Sequence, residues 1–212
     1  RRMNALEVGS TTATGQVMRE SVGLHECLDR VTNDMYGEDF RWSWEDGHSR
    51  FAWGLAIGYK NTGLGGGAPA KATAEVEAWR DPDKGLMAEV RISSAEMGQG
   101  LPGVLASCAA EELGIATENV SVLLGDTDVC PDGGPTTASR QSFVSGNAAR
   151  HAARDAVKKL AETPGERVVV QHEYWAPKTQ PLGTGGDMHV AFSFVAQAAL
   201  CEIDMRTGEV DV

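Results

Sequence analysis

Between residues 72 and 124 the apolar residues change their spacing twice, and this restricts the chain to a small set of folds. Ala72 to Trp79 alternates apolar and polar side chains, as a strand with one covered face requires. Asp81-Pro82-Asp83-Lys84-Gly85 carries the residues of a tight turn, and Met87 to Ser94 returns as the partner strand. From Leu101 the spacing becomes helical, with Leu101, Val104, Leu105, Cys108 and Ala109 facing inward. Pro102 falls in the first turn, where a missing N–H costs little, and Gly114 takes the position just past the end. Val120 to Leu124 is a strand again. Residues 86–124 therefore form a strand–helix–strand unit beside an antiparallel hairpin, which predicts an α/β fold of mixed sheets with packed helices.

The remaining segments fit that class. Residues 1–20 are polar and rich in Gly and Thr, an irregular lead-in, and Leu24, Cys27, Leu28 and Val31 mark one face of a short helix. Residues 37–50 read as a charged loop anchored by Trp42 and Trp44. Phe51 to Tyr59 reads as a buried strand, followed by the Gly-rich turn Gly63-Leu64-Gly65-Gly66-Gly67. A long Ala-rich helix is expected from Val144 to Ala161, with strands over Val168–Tyr174 and Phe192–Ile203. Met205-Arg206-Thr207-Gly208 then turns into a last strand, Glu209–Val212. The expected divisions are a lead-in with a short helix (1–50), an α/β cofactor-binding segment (51–163) and a strand-rich segment (164–212). Both ends read as cut, which suggests a fragment.

Charge and cysteine usage narrow the function. The formal net charge is −11, with no run of Lys or Arg, so nucleic acids and acidic membrane surfaces are poor partners. Cys27, Cys108, Cys130 and Cys201 form no paired motif and read as reduced thiols of a cytoplasmic protein. No stretch has the apolar length of a membrane span, and no signal peptide opens the chain. His25, His48, His151, His172 and His189 stand apart in sequence, with no metal-protease or Ser-His-Asp pattern. Glu111 and Glu112, adjacent on a helix, read as diverging solvated charges. No phosphate-loop lysine motif or dinucleotide glycine fingerprint occurs.

Two loops could carry chemistry. Met97-Gly98-Gln99-Gly100 lies between a strand and a helix, so its glycines admit close backbone approach and the helix start offers N–H groups. Gln99 adds an amide donor and acceptor suited to a heteroaromatic edge or an oxo group. A plain strand-to-helix turn would explain these four residues equally well. The second loop runs from Asp126 to Ser142 and contains Gly134-Pro135-Thr136-Thr137-Ala138-Ser139-Arg140-Gln141. Hydroxyls, a lone Arg and a helix start converge there, as a phosphate or pyrophosphate requires. An N-cap loop is the alternative, but it needs fewer hydroxyls than this.

Four ordered segments together resemble the molybdopterin-binding large subunit of the xanthine oxidase/aldehyde oxidoreductase family. They are EMGQG (96–100), AAEELGI (109–115), LLGDTD (123–128) and TTASRQSFVSGNAA (136–149), with weaker echoes in RRMNALEVGSTTATGQ and HVAFSFVAQAALCEIDMRTGEV. The resemblance spans almost the whole chain. It implies an α/β subunit holding molybdenum on molybdopterin, in bacteria usually the cytosine dinucleotide form. Gly98, Gln99 and Gly100 would contact the pterin, and Ala138, Ser139, Arg140 and Gln141 its phosphates. The implied reaction hydroxylates an aldehyde or an electron-poor heterocycle carbon with oxygen from water. Electrons would leave through 2Fe–2S clusters, commonly to FAD, on other domains or subunits. The implied partners are thus the rest of the molybdenum subunit, iron–sulfur and flavin components, and a small-molecule substrate.

This sequence departs from the pattern in three ways. The family's catalytic Glu, in a Gly-Glu segment further C-terminal, has no counterpart here, and neither does the upstream GGGFGGK-like segment. Gly65-Gly66-Gly67 is the only comparable run, in a different context. Between Leu160 and Val168 there is little room for the extra segment family members carry. The chain alone is accordingly expected to be inactive. The competing readings are a non-catalytic binding module and an isolated fragment that folds without cofactor.

Overall fold

The computed structural model describes every residue except Glu38. In chain order its elements begin with α1 (Leu24–Met35), β1 (Ser43–Asp46), β2 (Ser49–Thr62), β3 (Lys71–Asp81) and β4 (Gly85–Ile92). They continue with α2 (Leu101–Leu113), β5 (Val120–Leu124), α3 (Gly146–Glu162), β6 (Val168–Trp175), β7 (Ala191–Asp204) and β8 (Val210–Asp211). The chain divides into two compact units. One comprises Arg1–Lys60, Leu182–Asp187 and Phe192–Val212, and the other Asn61–Pro181 and Met188–Ala191. Among the described residues no helix is long and apolar enough to cross a membrane.

The first unit contains a sheet of order β1-β2-β7-β8 and the helix α1. The helix buries Leu24, Leu28, Thr32 and Met35. Thr32 takes the place in this stripe that the sequence pattern gives to Val31, and its hydroxyl is satisfied by donating to the Leu28 carbonyl at 2.8 Å. Residues 37–50 are not all loop, as expected from their charge, because Ser43–Asp46 pairs antiparallel with β2. The cause is a two-residue hairpin, with Asp46 opposite Ser49 and Gly47 at φ 61°, reinforced by Trp44 stacked on Phe51 at 4.9 Å. The Phe51–Tyr59 segment is a strand but not a buried one. Its residues alternate between half-buried and exposed over most of its length, as in a sheet with one open face.

The second unit holds a sheet of order β5-β4-β3-β6. Strand β3 lies antiparallel to both β4 and β6, while β5 runs parallel to β4 after the α2 crossover. The β3–β4 turn is closed by the Asp81 carboxylate, which accepts the Asp83 and Lys84 N–H groups at 3.0 and 2.9 Å. Helices α2 and α3 pack together and against the sheet. The core between them is built from small residues: Ala72, Ala74, Val76 and Ala78 on β3 meet Ala148, Ala149, Ala152, Ala153 and Ala156 on α3, all fully buried. Alanine on both surfaces lets the helix approach the sheet closely. On the opposite face Arg91 donates to Glu75 and Glu89 at 2.8 and 2.7 Å and also to Glu77, which a second cation, Arg167, also pairs.

Two readings of charged residues need correction. Glu112 is not a solvated helix charge: its carboxylate is largely buried between the helices, accepting from Arg150 at 2.6 Å and Arg154 at 2.8 and 2.9 Å. Hydrogen bonds from Arg154, then Arg150, outweigh its burial and hold its pKa at about 2. His151 and His172 do not stand apart either. Their rings stack at 4.9 Å where α3 meets β6, Tyr174 stacks on His151 at 5.7 Å, and Asp155 Oδ2 lies 3.2 Å from His172 Nδ1. A strand and a helix bring together rings that are distant in sequence.

Candidate functional site

Strands β4 and β5 run out at the same end of their sheet, the end where antiparallel β3 begins. Loops beyond the carboxyl ends of parallel strands are the usual ligand positions of open α/β sheets. Both candidate loops lie there. The Ser93 amide donates to the Pro131 carbonyl and the Thr73 amide to that of Asp132, each at 2.9 Å, which fastens the second loop to the sheet end. Thr136 joins the two loops: its hydroxyl accepts from the Ala95 N–H at 2.9 Å and from Gln141 Nε2 at 2.8 Å. Ser94 adds a hydroxyl donating to Gln141 Oε1 at 3.2 Å, and Ser145 donates to the same oxygen.

In the first loop Gly98 and Gly100 have φ of 98° and 76°, and a Cβ built on either would meet nothing within 4 Å. The left-handed turn there opens on free space, room in which a ligand can lie against bare backbone. Gln99 bonds within its own loop, accepting from the Met97 N–H at 2.6 Å and donating to the Ala95 carbonyl at 2.9 Å. The first N–H of α2 and those just ahead of it are not open, contrary to the simplest reading of a helix start. The Glu96 carboxylate takes those of Gly98, Gly100 and Leu101 at 2.7, 3.1 and 2.7 Å. Desolvation raises the Glu96 pKa, but these backbone donors together outweigh it and hold the group below the usual carboxylate range. Glu96 belongs to the EMGQG segment, and its capping role lay in its position ahead of a helix.

The second loop is shaped differently. Ala138 and Ser139 have φ of 51° and 54°, two successive non-glycine residues in the left-handed region. Each costs about 1–2 kcal/mol, so the surrounding structure must hold them there. The Gly63 N–H donates to the Ala138 carbonyl at 3.0 Å, and the Arg140 N–H closes the turn on Thr137 at 3.1 Å. Gln141–Ser145 then forms a π-helical turn that leads into α3, a distortion frequent at functional sites. Arg140 is fully buried, and its guanidinium donates to the carbonyls of Gly133 and Pro135 at 2.9 Å and to that of Lys71. Among the described residues no group of three or more His, Cys, Asp or Glu is arranged to hold a metal ion.

A family model for the molybdopterin cofactor-binding domain matches residues 37–173, well over half of the chain and both loops. This chain belongs to that family. Within the molybdopterin cofactor-binding domain family it is similar to the gamma subunit of the 6-hydroxypseudooxynicotine dehydrogenase complex of Paenarthrobacter nicotinovorans, with 40% identity over 77 residues (36% of this chain, 10% of that protein). A probable xanthine dehydrogenase subunit of Bacillus subtilis (strain 168) is 27% identical over 196 residues, covering 74% of this chain and 25% of the relative. The fold is similar to that of the aldehyde oxidoreductase of Desulfovibrio gigas, with TM-score 0.74 and 22% identity over 99% of this chain and 24% of that one. The chain thus spans a quarter or less of the curated relatives it matches. The mixed α/β architecture expected from sequence is that of a molybdopterin-binding domain of the molybdenum hydroxylases.

Proposed function

We propose that this chain supplies one wall of the molybdopterin site in a larger molybdenum hydroxylase. The observation that carries this reading is the Ala138–Ser139 turn, strained without any glycine and laced through Thr136 to the open Gly98–Gly100 loop. Strain held in place by its surroundings at a strand end is characteristic of ligand clamps. Gly98, Gln99 and Gly100 would face the pterin, with the Gln99 amide exchanging its present loop partners for the ring edge. Ala138, Ser139 and Gln141 would line the phosphates of the cofactor, in a cytosine dinucleotide form, with Arg140 contributing its charge from within the wall.

When bound, the molybdenum–pterin group supplies two-electron redox chemistry, and the protein's share is binding and orientation. The reaction is oxidative hydroxylation of an aldehyde or N-heterocycle carbon with oxygen from water, carried out by the complete assembly. The dehydrogenase and aldehyde oxidoreductase names of its relatives support that class. Two of those names denote subunits, which supports a multi-subunit setting; the proposal places the iron–sulfur clusters and FAD on such partner components. Four unpaired cysteines are consistent with a cytoplasmic setting.

A pair of substitutions at Ser139 tests the phosphate placement. Asn and Asp have nearly the same shape and both tolerate left-handed φ, but only Asp adds a negative charge. In the full-length protein with its partners, Ser139→Asn should keep molybdenum and releasable pterin near wild-type content. Ser139→Asp should lower both about tenfold, and Gln99→Ala should lower the pterin content as well. Wild-type content in the Asp and Ala variants would refute the placement.

A further inference from the structure

The phosphate placement above leaves open what Arg140 does, since a guanidinium beside a phosphate loop is ordinarily read as a direct ligand. Its surroundings argue otherwise. The side chain is fully buried, and its Nη1 donates to the Gly133 and Pro135 carbonyls while Nη2 donates to that of Lys71, the first residue of β3. The remaining Nε–H is also buried and has no hydrogen-bond partner among the described residues. Burial pushes the Arg140 pKa down and the Asp132 charge partly offsets this, but a guanidinium keeps its proton in a protein. A permanent charge in such a place needs fixed dipoles around it, and three carbonyl oxygens supply them.

The backbone is built around this group. A Cβ at Gly134 would fall 2.8 Å from the Lys71 carbonyl oxygen and 2.9 and 3.0 Å from the two terminal nitrogens of Arg140. Only a bare backbone fits there. The carbonyls gathered by Arg140 come from both sides of the strained turn's base: the sheet end at Lys71, and the 133–135 segment that leads into Ala138. On the other side the Gly63 N–H holds the Ala138 carbonyl.

We infer that Arg140 is a positioning residue, a carbonyl clamp that fixes the base of the Ala138–Ser139 turn against β3 from inside the protein without touching the ligand. The ligand's identity rests on the proposed function, but the clamp does not. With the clamp intact, Ala138 and Ser139 present their backbone in one shape before any ligand arrives, so the ordering cost of the loop is met during folding.

Hydrogen exchange on the full-length protein, produced in a host unable to make the pterin, tests this directly. In Arg140→Gln, amides over residues 133–141 should exchange at least tenfold faster, while residues 74–78 of β3 keep their wild-type protection. Arg140→Lys keeps the charge but replaces the planar fork of two nitrogens by a single ammonium on a flexible stem, so it should loosen the same segment; it also carries the test if the Gln variant does not fold. Cofactor content in the cofactor-producing host should then fall in both variants. Wild-type exchange over 133–141 in the Lys variant, with its cofactor content kept and that of the Gln variant lost, would assign Arg140 to direct charge contact and overturn the clamp. Faster exchange with unchanged cofactor content would uphold the clamp and move the ligand elsewhere.

Discussion

Ala138 and Ser139 sit where L-residues rarely sit, and the penalty is measurable without any ligand. Glycine at position 138 would relieve about 1–2 kcal/mol of left-handed strain and give back part of it through a freer unfolded chain. Ala138→Gly should therefore stabilise the protein by about 0.5–1 kcal/mol in denaturant titration, and a loss of stability would show that the turn is not strained. Gly100→Ala should do the reverse. With φ 76° and no neighbour within 4 Å, it should cost about 1 kcal/mol from backbone alone and disturb no packing. At this scale the sequence was partly legible. Two glycines beside a glutamine, and a run of hydroxyls before a helix, mark the two loops by composition. The roles of Glu96 and Arg140 were hidden, because a capping carboxylate and a buried clamp are defined by what surrounds them. The Arg140 partner Lys71 is 69 positions away, a distance that no local pattern spans.

Helix α3 carries two different loads along its length. Its alanine face is matched to the alanines of β3, so any added bulk must displace the sheet. Ala152→Leu should cost about 1–3 kcal/mol, measured as a shift of the unfolding midpoint. Its charged face holds Glu112 of α2 through Arg150 and Arg154. A carboxyl held at about pH 2 against an ordinary value near 4.5 stabilises the fold above the ordinary value, and that stability is lost as pH falls toward 2. Because both arginines are over 40% exposed, solvent screening leaves about 1 kcal/mol of this. Glu112→Gln should thus be destabilised by about 1 kcal/mol at pH 7, with the difference closing as the pH nears 2. The histidine stack responds in a higher pH range. Burial, the neighbouring His172 and Arg154 push the His151 pKa below the ordinary value of about 6.5. The folded state then binds fewer protons than the unfolded one, so stability is full above that value and declines as pH falls below it. His151→Gln should flatten the slope of stability between pH 7 and 5, and an unchanged slope would exclude His151 as its source. Most helices and strands were legible because their apolar period is regular. Strand β1 was not, since its charges masked the Asp46-Gly47 hairpin, and neither pairing of charges on α3 could be read from residues so far apart along the chain.

At the scale of the whole molecule, two sheets divide the chain, and both candidate loops belong to the second unit, at one end of its sheet. Strand–helix–strand order made that end foreseeable, since parallel β4 and β5 must finish together. The grouping of residues 182–187 and 192–212 with the first sixty was not foreseeable, because β7 finds its place beside β2 across the sequence between them. The chain spans a quarter or less of the curated relatives it matches, and in the proposed larger protein the second unit would offer the cofactor one prepared surface. The most direct test is to purify the full-length protein, with any subunits that co-purify, from a pterin-producing host and assay molybdenum by elemental analysis and the released, oxidised pterin by fluorescence. Near-stoichiometric metal and pterin, both lost in Ser139→Asp and retained in Ser139→Asn, is the predicted result. A protein that carries neither group, or that carries both unchanged through the Asp substitution, would contradict a cofactor wall at Ala138–Ser139.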